Sequence, residues 1–121
     1  MDAIPQQLQD KLMQFQEMQN QLQSIAFQGQ QMRQQLLEID HALEALEKSG
    51  DNRVYEKAGP LFIESDAGKT KDKLKDDKEL KEARLKSLEK QESKLKEKLS
   101  TLGKDIQGQM GGVQSGGLVA E

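Results

Sequence analysis

The side chains that could do chemistry are few and scattered. His41 is the only histidine among 121 residues, and there is no cysteine. That removes a histidine pair for a metal, a thiolate ligand, a thiol nucleophile and a disulfide scaffold. A lone imidazole beside an apolar helix seam reads as a surface or seam-flanking residue. Asp76 and Asp77 could attract a cation, but the further carboxylates of a calcium loop are not spaced around them. Acids early in a helix are favoured by its dipole, which accounts for the pair. Neither a Gly-x-x-x-x-Gly-Lys-Ser/Thr phosphate loop nor a Gly-x-Ser-x-Gly elbow occurs. The expectation is therefore a protein that is not an enzyme and has no metal or cofactor. Its function must reside in surfaces, and the elements must build those surfaces.

Composition limits what the elements can be. Of the 121 residues, 54 are Ala, Glu, Lys, Leu or Arg, near the one half that marks long helices or coiled coils. Only 27 are Leu, Ile, Val or Phe, so the chain buries a seam rather than a thick core. No apolar run approaches the roughly 18 residues of a membrane span. The segment from Met1 to Leu12 lacks the basic start and continuous apolar core of a signal peptide, and with no cysteine a cytoplasmic location is expected. A net charge of -3 gives no basic field for nucleic acid.

From Leu8 to Leu46 the apolar residues recur every seven positions. Leu8, Phe15, Leu22, Leu36 and Leu43 form one row, and Met18, Ile25, Met32, Ile39 and Leu46 form the row three residues later. Lys11 and Gly29 are the two misses in six heptads. The glutamines between them, such as Gln14, Gln16 and Gln19, form a wet helix surface rather than a prion-like tract, which would lack heptads. Pro5 opens this helix, and Lys48 followed by Gly50 ends it, predicting a helix over 6–48 about 65 Å long. A second helix is predicted over 70–107. Leu74, Leu88, Leu95 and Leu102 form one row, and Leu85, Leu99 and Ile106 the other. Lys78, Lys81 and Glu92 fall on seam positions of this helix, where they weaken pairing or specify register. Its remaining charges alternate in sign, the habit of a solvated face laced with ion pairs.

Residues 52–65 change character. Val54-Tyr55 and Leu61-Phe62-Ile63 flank Ala58-Gly59-Pro60, predicting two short strands around a turn. A lone two-stranded hairpin is marginal in water and leaves both edges unpaired. Val54, Tyr55, Leu61, Phe62 and Ile63 put apolar groups on both faces, as expected if strands of several subunits join a small barrel. These five are the predicted subunit interface of an obligate oligomer. With a short connector the helices fold back as an antiparallel two-helix coiled-coil hairpin, an arm about 60 Å long with both termini together. The fold class is therefore mainly α, with a short β-hairpin at the bend, and residues 1–121 form one domain.

The tail, 108–121, holds five glycines and is expected to be flexible, yet it carries Met110, Val113, Leu118 and Val119. Ile4, Leu8, Leu12 and Met13 lie at the same end. They are either incidental hydrophobes on fraying ends or a sticky surface for apolar segments of other proteins.

The order of helix, short hairpin and helix in about 120 residues resembles the β class of prefoldin subunits, most nearly the archaeal form, over almost the whole chain. Ile4-Pro5-Gln6 leading into a glutamine-rich helix, Val54-Tyr55 followed by Gly59 and an apolar strand, and Gln91-Glu92 carry the likeness. The α class has two hairpins and a longer connector, which the stretch from Gly50 to Gly68 cannot hold. The resemblance implies a hetero-hexamer of two α-class and four β-class subunits, built on a double β-barrel with six coiled-coil arms. It also implies an ATP-independent chaperone that captures unfolded proteins at the arm tips and passes them to a group II chaperonin. By matching position the client contacts would be Ile4, Leu8, Leu12, Ile106, Met110 and Val113.

A coiled-coil adaptor or tether is the competing class. It binds specific helices through its seam and has no use for two apolar strands at the bend. An interfacial membrane helix fits less well, because neither helix sets a strongly basic face beside a wide apolar one.

Overall fold

The computed structural model describes residues 4–50 and 53–119, with side chains as far as residue 111. In chain order the elements are α1 (Gln6–Ser49), β1 (Val54–Ala58), β2 (Leu61–Ser65) and α2 (Ala67–Val119). The architecture is the one the patterning predicts, two long helices joined by an antiparallel two-stranded hairpin.

At the start of α1 the carbonyl of Pro5 accepts from the Gln9 amide at 3.0 Å, so the proline stands at the cap, where its missing N–H is no loss. At the end, Gly50 takes φ +60°, the left-handed stop expected of it. Before it, the Ser49 hydroxyl donates to the Leu46 carbonyl at 2.9 Å.

Helix α2 begins three residues ahead of the expected Thr70. Asp66 is the reason: its Oδ2 accepts from the Lys69 amide at 2.9 Å and its carbonyl accepts from the Thr70 amide at 2.9 Å. A carboxylate placed so satisfies an orphan donor of the first turn and opposes the helix dipole. The other end also departs from the expected boundary, since helical backbone runs past Gln107 through the start of the glycine-rich segment to Val119. Glycine lowers helix propensity by about 1 kcal/mol per residue but does not block the hydrogen-bond ladder as proline does. Ile106, 6% exposed, anchors the turn from which this extension grows.

The hairpin pairs Val54 with Ser65, Glu56 with Ile63 and Ala58 with Leu61, and between them Tyr55 with Glu64 and Lys57 with Phe62. Its two-residue loop is Gly59-Pro60, with Gly59 at φ +60°. Proline is locked near -65°, so only the first central residue can be left-handed and the turn is type II′, whose twist matches the strands.

Packing divides the chain into two compact units. One holds Met1–Phe27 and Glu89–Glu121, and the other Gln28–Leu88. In the first, Lys11 donates to Asp105 at 2.6 Å, and Gly103 stands against the Phe15 ring, where a Cβ would meet Cε2 at 3.3 Å. In the second, Lys78 Nζ lies 2.7 Å from Asp40 and Lys71 Nζ 3.9 Å from Glu47. Within each unit the partner number falls as the first number rises, so the helices are antiparallel.

The heptad rows are the buried residues. In α1 every row position from Leu8 to Leu46 is buried or half-buried, including the two misses, Lys11 and Gly29. In α2 the same holds from Leu74 to Ile106, including Lys78, Lys81 and Glu92. The charged members of the row keep their head groups satisfied at its edge: Lys78 on Asp40, Lys81 on Asp77 at 2.6 Å, and Glu92 on Lys96 at 2.9 Å. Long stems lie over apolar neighbours while the charges stay wet.

Candidate functional site

Two groups of residues have surfaces to offer, and the first is the hairpin. Tyr55 is 53% exposed, Leu61 63%, Phe62 70% and Ile63 53%, while Val54 is half-buried. The pairing register sets these groups on both faces. Strand residues alternate between faces, so Val54, Glu56, Leu61, Ile63 and Ser65 share one face and Tyr55, Lys57, Phe62 and Glu64 the other. The first face turns its polar members toward α2: the hydroxyls of Ser65 and Thr70 are 2.6 Å apart, and Thr70 donates to Glu56 at 3.4 Å. Lys73 adds an ion pair to the same Glu56 at 3.7 Å. Thr70 is 7% exposed, so this small network pins the hairpin to the first turn of α2. What remains is a rigidly held ribbon whose large apolar groups face solvent on both sides and whose outer strand edges have no partner strand among the described residues.

The second group lies in the unit that contains the outer parts of both helices. Here the seam and the expected client contacts draw on the same residues, and two of them are buried. Leu8 is 3% exposed and Ile106 6%, each filling the heptad position that its spacing assigns. Ile4 is 47% exposed, and Leu12 and Met110 are half-buried. Val113 lies outside the residues whose side chains are described. Met13 is 70% exposed, an adaptable thioether next to Leu12. With Leu8 and Ile106 packed, the accessible apolar groups among the expected client contacts and their neighbour are Ile4, Leu12, Met110 and Met13, and the same unit also exposes Phe27, at 60%.

Sequence reasoning did not find the close approach of Gly103 to Phe15. Its signal was a glycine inside an otherwise strong helical run, which often marks such an approach.

His41 is exposed on α1. Asp77 is engaged by Lys81. Among the described residues no three His, Cys, Asp or Glu side chains gather as metal ligands, and no helix is long and apolar enough to cross a membrane.

The family model described as "Prefoldin subunit" matches residues 9–112. The chain is 41% identical over 108 residues to the prefoldin subunit beta of Thermococcus onnurineus (strain NA1), covering 88% of this chain and 93% of that relative. It is 32% identical over 117 residues to the same subunit of Pyrobaculum calidifontis, covering 96% and 94%. Its fold is similar to the crystal structure of the prefoldin beta subunit from Thermococcus strain KS-1, with a TM-score of 0.78 and 38% identity over 89% of this chain and 96% of that one.

Proposed function

Because the chain belongs to the prefoldin family, as a member of its β class, we propose that it is a subunit of a cytoplasmic, ATP-independent chaperone. In this reading it assembles through its hairpin with an α-class subunit, two α to four β. It holds unfolded proteins at the ends of its paired helices and hands them to a group II chaperonin.

The observation that carries this reading is the hairpin. Four large side chains, each more than half exposed on ten strand residues, are unfavourable in water unless other strands cover them. A tether that recognised helices through its seam would gain nothing from that exposure, whereas a shared barrel buries it and removes both free edges. Capture then needs no chemistry. Several weak apolar contacts, each from one subunit, hold a client by avidity.

The test is light scattering of a denatured protein diluted, without nucleotide, into the chain reconstituted with an α-class partner. Full-length complex should suppress aggregation, and the variant Ile4→Ser/Leu12→Ser/Met110→Ser should suppress it poorly at unchanged assembly mass. Assembly without any suppression would hand the argument to the tether.

A further inference from the structure

The unit formed by Met1–Phe27 and Glu89–Glu121 carries two grooves with no lining residue in common, and they differ in chemistry. The first, about 610 Å³, is walled by Leu12, Phe15, Leu99 and Gly103. Gly103 is what opens it: any side chain there would stand over the Phe15 ring, which the missing Cβ leaves bare. The charged residues lining this groove are Lys96 and Lys104, with no carboxylate. Lys96 is held by Glu92 at 2.9 Å, while Lys104 pairs with no carboxylate among the described residues. The second groove, about 770 Å³, is lined by Glu97 and Asp105 beside Lys98, by the polar Gln14 and Thr101, and by Met18 and Leu102.

We propose that the Phe15–Gly103 groove is the docking site for client chain, and that it selects segments in which a large apolar side chain lies within a few residues of carboxylates. The inference rests on the proposed holding function and says which segments are held and on which side of the helices. The apolar floor has the size of an ordinary ligand pocket and accepts one or two large side chains. A carboxylate beside them meets a lysine whose charge is not already answered, while a lysine-flanked segment meets like charge. The second groove has a smaller apolar floor, Met18 and Leu102, and its two carboxylates set an opposing field. Rim charges act mainly through selectivity and association rate, so the preference is modest and salt-sensitive.

The test uses the complex of full-length chain with its α-class partner and two fluorescent peptides with identical apolar residues, one flanked by Asp and Glu and the other by Lys. The acid-flanked peptide should bind about threefold tighter at low salt, with the difference vanishing on the order of 1 M salt. Lys104→Glu should reverse the preference at unchanged assembly mass, and Lys104→Met should abolish it. A photo-crosslinking residue at Gln107, in the first groove, should capture peptide several-fold more than one at Thr101, in the second. Equal crosslinking at the two positions, or a charge preference unmoved by both Lys104 variants, overturns the inference. If the same preparations still suppress aggregation, the holding function stands without it. If they do not, both fall together.

Discussion

Gly29 is buried on the seam of α1, yet only the Arg33 guanidinium lies within 4 Å of where a Cβ would stand, at 3.5 Å. The site is a hole, not a close approach. Gly29→Ala should therefore stabilise the fold by about 1 kcal/mol through helix propensity alone, seen as a higher thermal midpoint; a lower one would mean the methyl meets the facing helix. Lys78 behaves differently from an ordinary surface lysine. Its hydrogen bond to Asp40, then the charge of the same carboxylate, holds its pKa above the usual 10.5. A raised folded value means the pair contributes fully below the unfolded lysine pKa and is lost as pH rises through the folded one, so stability should decline only in strong alkali. Asp40→Asn should bring the Lys78 titration, followed by NMR of its side chain, back down; an unchanged titration would rule out Asp40 as the cause. The heptads foretold that Lys78 would be on the seam. They could not name its partner, which is a matter of register between two helices.

At the level of elements, the helix starts show what local sequence can hide. Asp66 caps α2 with two 2.9 Å bonds, yet the preceding strand and the following Ala67-Gly68 obscure it in the sequence. Asp66→Ala should lower stability by about 1 kcal/mol and fray the first turn, measurable as faster amide exchange at Lys69 and Thr70. Because Thr70 also bonds Ser65 and Glu56, loss of the cap should loosen the hairpin as well. Protection confined to its wild-type pattern would show that the Thr70 network suffices without the cap. The hairpin itself was legible, since β-branched and aromatic runs around Gly-Pro leave little else to form, and the fixed φ of proline dictates which turn residue must be left-handed.

For the whole molecule, the exposed strand residues set the expected assembly. Leu61→Ser/Phe62→Ser should leave the far-ultraviolet helical signal of the chain intact while preventing the complex from forming, as read by sedimentation. A full-sized complex from that variant would show that the ribbon's apolar faces are not the interface. The wild-type chain alone offers the complementary measurement, because strand edges that pair with any copy should give concentration-dependent oligomers.

The rows from Leu8 to Leu46 and from Leu74 to Ile106, the stop at Gly50 and the two strands were all determined by the sequence itself. Each depends on a period or on one residue's backbone freedom, and both are local properties. Tertiary structure decided the rest, because it involves competition between distant groups. It set how deeply each row residue packs against the facing helix, leaving Leu8 3% and Ile106 6% exposed while Phe15 and Leu22 are half-buried. It also gave Lys78 to Asp40 and brought Gly103 onto Phe15, pairings that exist only once the antiparallel register is set.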